Sequence, residues 1–227
     1  LCNKLDINHW EKRIAKRKIK IVGVPKYDKE WLTKLNKKKI LIKKPIILVA
    51  YSSRFNLEKK NNKNLEIQLS QIMNVLKKFN DHKIIFKIHP RKNDPYYLKI
   101  LRRFKDVDLE ISNQNLLTLT KACDVFIHDK YSSVIYEGLV FKKPCIEYWD
   151  LQKDTNTIYA QDYLKINVVA KNPKKLHYYI NLAINNPRNK IWIKQYNNFK
   201  SSNEKFNIQS SKQTANLMIK IENNMNK

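Results

Sequence analysis

The sequence predicts an α/β protein whose core is a doubly wound parallel sheet with helices on both faces. Short apolar runs alternate with amphipathic stretches through most of the chain, and the connections between them are short. The run at 46–51 is apolar throughout, which is typical of a strand buried on both faces, whereas residues 64–80 carry apolar side chains at helical spacing. Strands that alternate with helices in this way are expected to be parallel, because parallel neighbours need a crossover connection.

The remaining elements follow the same alternation. Apolar runs predict further strands at 83–88, 107–111, 124–128, 145–148 and 166–170. Helical spacing and the positions of proline predict further helices at 94–104, 116–122, 133–142, 173–185 and 187–199. The Lys/Asn-rich stretch at 57–64 is interpreted as a solvated loop. Doubly wound sheets bind ligands beyond the carboxyl ends of their strands, so the residues that follow each strand are the candidates for chemistry.

The two ends of the chain differ from this pattern. Residues 1–18 predict one isolated basic helix, with no sheet upstream for the helix to pack on. Residues 19–203 contain the alternating strands and helices, and residues 204–227 predict a last amphipathic helix with an Asn/Lys-rich tail. The sequence therefore predicts one sheet domain between two helical ends.

The chain is strongly basic: 46 Lys+Arg stand against 20 Asp+Glu, which gives a net charge of +26. Of the basic residues 39 are Lys and only 7 are Arg, and they are spread over the whole chain. Proteins that read bases and phosphates favour Arg, because its planar fork binds two acceptors at once. We therefore expect no nucleic-acid partner, and instead a long-range attraction to phosphorylated substrates or to an anionic membrane surface.

Composition excludes several classes of site. The two glycines, Gly23 and Gly138, cannot form a Walker A loop or a Gly-x-Gly-x-x-Gly dinucleotide fingerprint. The three cysteines form no close pair with each other or with histidine, so no metal site and no disulfide framework are predicted. The first twenty residues show no signal peptide, and no apolar run reaches the roughly 18 residues of a membrane span. A cytoplasmic location is expected, with attraction to the inner face of the cytoplasmic membrane.

The first candidate site follows the predicted strand at 83–88. His89 stands at the carboxyl end of this strand, Pro90 ends it, and Arg91 adds positive charge beside it. This combination suits a phosphate or diphosphate. A strand-ending histidine with solvated basic neighbours is the alternative interpretation.

The second candidate site follows the predicted strand at 124–128. Ser132 and Ser133 fall at the start of the next predicted helix, where free N–H groups and hydroxyls favour an anion. Glu137 lies about one helical turn further on, where a carboxylate can accept the hydroxyl protons of a ribose. Gly138 removes a side chain where a ligand approaches closely. Ordinary serine capping beside an exposed glutamate is the alternative.

The third candidate site combines the segment 23–28 with the residues that follow the strand at 46–51. Gly23-Val24-Pro25 is a turn that redirects the chain. Ser52 and Arg54 follow the first complete strand, where a serine-rich turn with arginine can meet a ligand. A plain loop between strand and helix explains this segment equally well.

Taken in order, these motifs resemble the C-terminal half of GT-B-fold glycosyltransferases. The resemblance covers about residues 19–200 and is nearest to bacterial capsule and surface-polysaccharide proteins and to CDP-glycerol glycerophosphotransferases; UDP-N-acetylglucosamine 2-epimerases have a similar fold. It rests on the segments Gly23-Val24-Pro25-Lys26-Tyr27-Asp28, Lys87-x-His89-Pro90, Ala122-x-Asp124-Val125, Ser132-Ser133-x-x-x-Glu137-Gly138 and Lys143-Pro144-Cys145-Ile146. One departure is Phe141-Lys142, where the family usually has a glycine.

The resemblance implies a Rossmann-like domain at 19–203 that binds a CMP-, CDP- or UDP-linked donor as substrate, with no protein-bound cofactor. It implies that His89, the predicted catalytic residue, and Ser132 and Ser133 hold the donor phosphates, and that Glu137 holds the ribose. Residues 1–18 are then the remnant of a missing N-terminal domain, which in the family binds the acceptor. The implied activity is transfer to a glycan or lipid-linked acceptor in cell-surface or capsular polysaccharide synthesis. A UDP-sugar 2-epimerase and a non-catalytic nucleotide- or polyanion-binding module stay open as alternatives.

Overall fold

A computed structural model describes residues 20, 22–35, 44–51, 59–88, 95–129, 132–149, 165–202 and 209–225 of the chain. Its centre is a six-stranded sheet in the order β3-β2-β1-β4-β5-β6, in which every pair of neighbouring strands is parallel. The strands are β1 (Ile46–Tyr51), β2 (Lys83–Ile88), β3 (Leu109–Ser112), β4 (Val125–Asp129), β5 (Cys145–Tyr148) and β6 (Val169–Ala170). The predicted doubly wound α/β fold is confirmed.

Helices connect and cover the strands. A short 3-10 helix (Pro25–Tyr27) precedes them in the chain. The α-helices are α1 (Lys29–Leu35), α2 (Lys59–Leu76), α3 (Pro95–Leu101), α4 (Leu116–Ala122), α5 (Ile135–Val140), α6 (Pro173–Asn185), α7 (Lys190–Ser202) and α8 (Ser210–Met225). Asn115 and Asn172 cap α4 and α6, because their side-chain oxygens accept from backbone N–H groups of the first turn.

Each face of the sheet has its own hydrophobic core. Helices α2, α3 and α6 pack on one face around Val49, Phe86 and Ile127. Helices α4 and α5 pack on the other face around Leu48 and Phe126, and α7 contributes to both cores. The alternation of side chains along each strand therefore places apolar residues on both sides, as expected for a parallel sheet covered by helices.

Several boundaries differ from the predicted ones. Helix α2 begins at Lys59, so the interpretation of 57–64 as a solvated loop is wrong from that residue onward. The predicted strand at 166–170 is reduced to Val169–Ala170. Helix α5 is shorter than the predicted 133–142 and ends in a Schellman motif, in which Lys143 N donates to Gly138 O and Lys142 N donates to Leu139 O.

The first described segment of the chain contacts the last helix. Asp28 accepts hydrogen bonds from the backbone N–H groups of Ser210 and Ser211 at the start of α8. Helix α1 was not predicted from the sequence. The predicted helix at 1–18 lies outside the described residues, and the three-part division of the chain stays a prediction. No helix in the described part of the chain has the length and apolar character needed to cross a membrane.

Candidate functional site

A cavity of about 360 Å³ opens at the carboxyl edge of the sheet. The ends of β1 and β2 form one side of it, and the residues that follow β3 and β4 form the other. Strands β1 and β4 are neighbours, and the chain order of the strands reverses between them, so the cavity lies at the switch point where open α/β sheets bind ligands. Among the described residues its lining consists of Ala50, Tyr51, Lys87, Ile88, Asn113, Gln114, Asn115, Leu116, Ser132 and Val134.

Lys87 is the cationic residue that lines this cavity. It stands next to last in β2, in register with Ala50 of β1 and Ser112 of β3. Its side chain is half-buried, and burial lowers the pKa of the ammonium group. Among the described residues it has no ion pair, whereas Lys83, on the same face of the same strand, pairs with Asp108. Lys87 was not predicted as a site residue, although its place two residues before His89 was the available signal.

The loop between β3 and α4 supplies amide side chains to the cavity. Asn113, Gln114 and Asn115 follow β3 directly. Asn115 Oδ1 accepts from Leu117 N at 2.9 Å, and Gln114 N donates to Ser112 Oγ at 3.2 Å, so side-chain contacts help to fix the loop. Sequence reasoning missed these residues too, and the signal was an uninterrupted polar run after a predicted strand.

The two serines after β4 have different environments. Ser132 is buried and lines the cavity, whereas Ser133 is exposed. Val134 is the N-cap residue of α5 and its side chain makes no capping hydrogen bond. Neither serine hydroxyl has a partner within the described part of the chain, so serine capping does not account for this pair. Of the two, Ser132 has the position expected of a ligand contact.

Glu137 is buried in the first turn of α5, with 7% of its surface exposed. Lys26 Nζ lies 2.7 Å from its Oε1, and the hydroxyl of Tyr27 lies 3.5 Å from the same oxygen. Burial raises the pKa of the carboxyl group, and the contacts with Lys26 and Tyr27 offset part of that rise. The alternative of an exposed glutamate is therefore excluded. The pairing with Lys26 was not predicted.

Gly138 has a packing role. A Cβ atom at this position would lie 2.3 Å from Cys145 Sγ and 2.8 Å from Phe126 Cδ1, both on the sheet beneath α5. Glycine is needed here because the helix lies directly against β4 and β5. The close approach of a ligand to Gly138 stays a prediction.

Four of the predicted site residues, His89, Arg91, Ser52 and Arg54, lie outside the described residues. The strands that precede them in sequence, β1 and β2, are parallel neighbours. Strand β4 lies on the other side of β1. His128, at the predicted strand end, is buried, and its Nδ1 lies 2.9 Å from the backbone oxygen of Asp129. Within the described ranges no group of three or more His, Cys, Asp or Glu side chains could hold a metal ion.

A family model for CDP-glycerol:poly(glycerophosphate) glycerophosphotransferase matches residues 3–163 of this chain. No curated protein matches it by sequence.

Solved structures are similar to it in fold. A UDP-N-acetylglucosamine 2-epimerase from Listeria monocytogenes aligns with a TM-score of 0.66 at 10% identity, over 97% of this chain and 59% of that protein. The corresponding enzyme from Neisseria meningitidis, bound to UDP-GlcNAc, aligns with a TM-score of 0.63 at 13% identity, over 95% and 60%. The wall teichoic acid polymerase TagF, as a variant soaked with CDPG, aligns with a TM-score of 0.61 at 16% identity, over 100% and 58%.

These identities are low, so the similarities show the fold. The predicted resemblance to a GT-B glycosyltransferase half is confirmed by the family match and by the folds of these structures. The chain spans about three fifths of the length of the first of these proteins.

Proposed function

The chain belongs to the CDP-glycerol:poly(glycerophosphate) glycerophosphotransferase family, and we propose that it forms the donor-binding part of a transferase. The donor is a CMP-, CDP- or UDP-linked glycerol or sugar. The acceptor is a glycan or a lipid-linked chain in the synthesis of a cell-surface or capsular polymer.

The observation that carries this proposal is the cavity at the carboxyl edge of the sheet. It combines Lys87, which has no ion pair within the described part of the chain, with the Ser132 hydroxyl and the amide side chains of the β3–α4 loop. A lysine that has lost part of its hydration and has no carboxylate partner is suited to bind an anion. The amides can hydrogen-bond the edge of a base or a ribose. A nucleoside diphosphate has both of these parts.

The proposed roles follow from these positions. Lys87 and Ser132 bind the donor phosphates, and His89 and Arg91, which follow β2 in the sequence, are proposed to act on the same group. Glu137 lies three residues after Val134, which lines the cavity, and residues at this spacing share one side of a helix. Glu137 is therefore proposed to accept a hydroxyl proton of the ribose.

The proposed chemistry depends on position and charge. An acceptor hydroxyl attacks the transferred group and forms a new bond to it, while its proton passes to water. The bond from that group to the nucleotide phosphate breaks, and that phosphate leaves with increased negative charge. Cationic and hydroxyl donors fixed around the phosphate stabilise this charge. The net charge of +26 attracts the anionic donor and also an anionic membrane surface, where a lipid-linked acceptor would lie.

Family membership favours the transferase over the alternatives. The epimerase structures have the same fold as this chain, but the family match is to a glycerophosphotransferase. A non-catalytic module would have the same cavity, and it is distinguished by activity in the whole protein. Among the similar structures, TagF was soaked with CDPG, which supports a CDP-linked donor here.

Calorimetry with CDP, CDP-glycerol, UDP and ADP tests the proposal. We expect the pyrimidine nucleotides to bind more tightly than ADP. Lys87→Met should weaken CDP binding at least about tenfold, because a hydrogen bond to a charged group contributes about 1.5–3 kcal/mol. Lys83→Met is the matched control: it removes the same charge from the same face of the same strand, four residues from Lys87, at the opposite edge of the sheet.

Two results would contradict the proposal. Equal weakening by Lys87→Met and Lys83→Met would show that CDP responds only to overall charge. Equal or absent binding of all four nucleotides would exclude a pyrimidine donor site. Conversion of UDP-N-acetylglucosamine by the whole protein, without transfer to an acceptor, would instead support the epimerase alternative.

A further inference from the structure

The segment Gly23–Asp28 has no role in the proposed transfer, and the structure places it against Glu137. Lys26 and Tyr27 belong to the 3-10 helix and contact the same carboxylate oxygen of Glu137, more than a hundred residues away in sequence. Tyr27 is 2% exposed, so the segment is packed into the protein. Lys26 keeps about half of its side chain exposed.

The second oxygen of Glu137 has no partner among the described residues. Oε2 is buried and accepts no hydrogen bond from them, while Oε1 accepts from Lys26. A buried carboxylate oxygen without a donor is unfavourable, because burial removes the water that would otherwise solvate it. Buried polar atoms of this kind mark positions where a ligand can supply the missing donor.

The last residue of the segment is fixed by hydrogen bonds to the start of α8. The Asp28 carboxylate accepts from Ser210 N at 2.7 Å, from Ser211 N at 2.8 Å and from Ser211 Oγ at 2.7 Å. Gly23 has a φ of 81°, a conformation that favours glycine and turns the chain into the segment. The backbone that carries Lys26 is therefore held between this turn and the start of α8.

We propose that Lys26 is a positioning residue for Glu137: its ammonium group holds Oε1 in place, so that Oε2 accepts a ribose hydroxyl of the nucleotide. This inference rests on the proposed function. It assigns recognition of the ribose to a pair of residues, of which only Glu137 contacts the ligand.

The charges around Glu137 support this role. Burial raises the pKa of Glu137, and Lys26 and then Tyr27 act against it. These two residues are the titratable groups that face the carboxylate within the described structure. A protonated carboxyl group is a weaker acceptor than a carboxylate. Removal of Lys26 should therefore raise the pKa of Glu137 further and weaken its bond to a ribose hydroxyl.

The test compares CDP with 2′,3′-dideoxy-CDP in calorimetry on the wild-type protein and on Lys26→Met. In the wild type we expect CDP to bind at least about tenfold more tightly, because the dideoxy analogue lacks the donors for Glu137. Lys26→Met should remove most of this ratio while changing the binding of the dideoxy analogue by no more than about twofold. Lys26→Arg should restore the ratio.

Lys29→Met is the matched control. Lys29 is exposed, has no ion pair in the described structure, and lies three residues after Lys26 at the start of α1, so its substitution removes the same charge from a neighbouring position. The ratio of CDP to dideoxy-CDP affinity in Lys29→Met should equal that of the wild type. The affinity ratio should rise with pH as Glu137 ionises. In Lys26→Met this rise should occur at a higher pH than in the wild type, because the loss of Lys26 raises the pKa of Glu137.

Each outcome separates this inference from the proposed function. If the wild-type protein binds CDP and the dideoxy analogue equally, the nucleotide site stands and the role of Lys26 is overturned. If Lys26→Met weakens both ligands by the same factor, Lys26 acts on the phosphates or on the fold, and the inference is again overturned. If the wild type binds neither ligand, both proposals are wrong.

Discussion

Two buried carboxylates lie beside the same 3-10 helix, and their surroundings differ. Asp28 and Glu137 are both 7% exposed. Both oxygens of Asp28 accept hydrogen bonds from the start of α8. In Glu137 one oxygen pairs with Lys26, and the other has no partner in the described part of the chain. The two carboxylates are therefore equally exposed, but only Asp28 has both oxygens hydrogen-bonded within the described structure.

The pKa values of the two groups move in opposite directions. Burial acts to raise the pKa of Asp28, but the hydrogen bonds from Ser211 and Ser210 outweigh it and lower the pKa. For Glu137 burial outweighs the contacts with Lys26 and Tyr27 and raises the pKa. A carboxylate whose ionised form is fully stabilised inside the protein supports the fold. A carboxylate with only one of its two oxygens hydrogen-bonded has a second oxygen that can still accept a hydrogen bond from a ligand.

The largest expected effect is the loss of stability in Asp28→Ala. The substitution leaves the N–H groups of Ser210 and Ser211 and one hydroxyl without their acceptor, so the free energy of unfolding should fall by about 2 to 3 kcal/mol. Urea denaturation measures this change. Asp108→Ala is the control, because Asp108 is an exposed partner of Lys44 and Lys83, and its loss should cost much less. Equal losses in the two variants would show that the bonds of Asp28 add little.

A smaller effect on stability is expected from Glu137→Gln. The amide keeps the shape of the side chain and removes a costly buried charge, while Lys26, about half exposed, can return to water. We expect the free energy of unfolding to change by less than about 1 kcal/mol. The same denaturation experiment decides the point. A loss as large as that of Asp28→Ala would place Glu137 among the groups that hold the fold together.

The contrast in pKa predicts opposite slopes of stability against pH. Asp28 has a pKa below its ordinary value of 3.8, so its contribution is complete above that value and is lost as the pH falls through the lowered pKa. Glu137 has a pKa above its ordinary value of 4.5, so stability decreases as the pH rises from 4.5 through the raised pKa. Thermal melts at several pH values measure these slopes. Asp28→Asn should lose the fall in stability at low pH, and Glu137→Gln should lose the decrease above pH 4.5. Identical pH profiles for the two variants would contradict the comparison.

The sequence predicts the sheet better than it predicts these two carboxylates. The apolar run at 46–51 and the helix at 116–122 are local patterns, and both are confirmed to the residue. Glu137 was selected as a candidate because a helix start can be read locally. Its partner Lys26 and the bond from Asp28 to α8 join residues 111 and 182 or more positions apart, and no local pattern encodes them. Lys87 was missed because a lysine in an apolar run gives no sign of which face of the strand it occupies.

The C-terminal end of α5 provides a change that should affect neither carboxylate. Lys142 has a φ of 55° in the Schellman motif, a backbone conformation that favours glycine. Its ammonium group lies 5.2 Å from the centre of the Tyr196 ring, a contact that recovers part of the conformational cost. Glycine adopts this conformation without the steric cost of a side chain.

Lys142→Gly should therefore raise the free energy of unfolding by about 0.5 to 1 kcal/mol. Thermal melting measures it, and Lys142→Ala is the control, because alanine loses the contact with Tyr196 and keeps the strained backbone. Neither pH slope should change, nor should the ratio of CDP to dideoxy-CDP affinity. If Lys142→Gly alters that affinity ratio, ribose binding at Glu137 depends on the overall stability of α5. A lower affinity ratio in Lys26→Met would then be explained by a less stable helix, without a specific role of Lys26 in positioning Glu137.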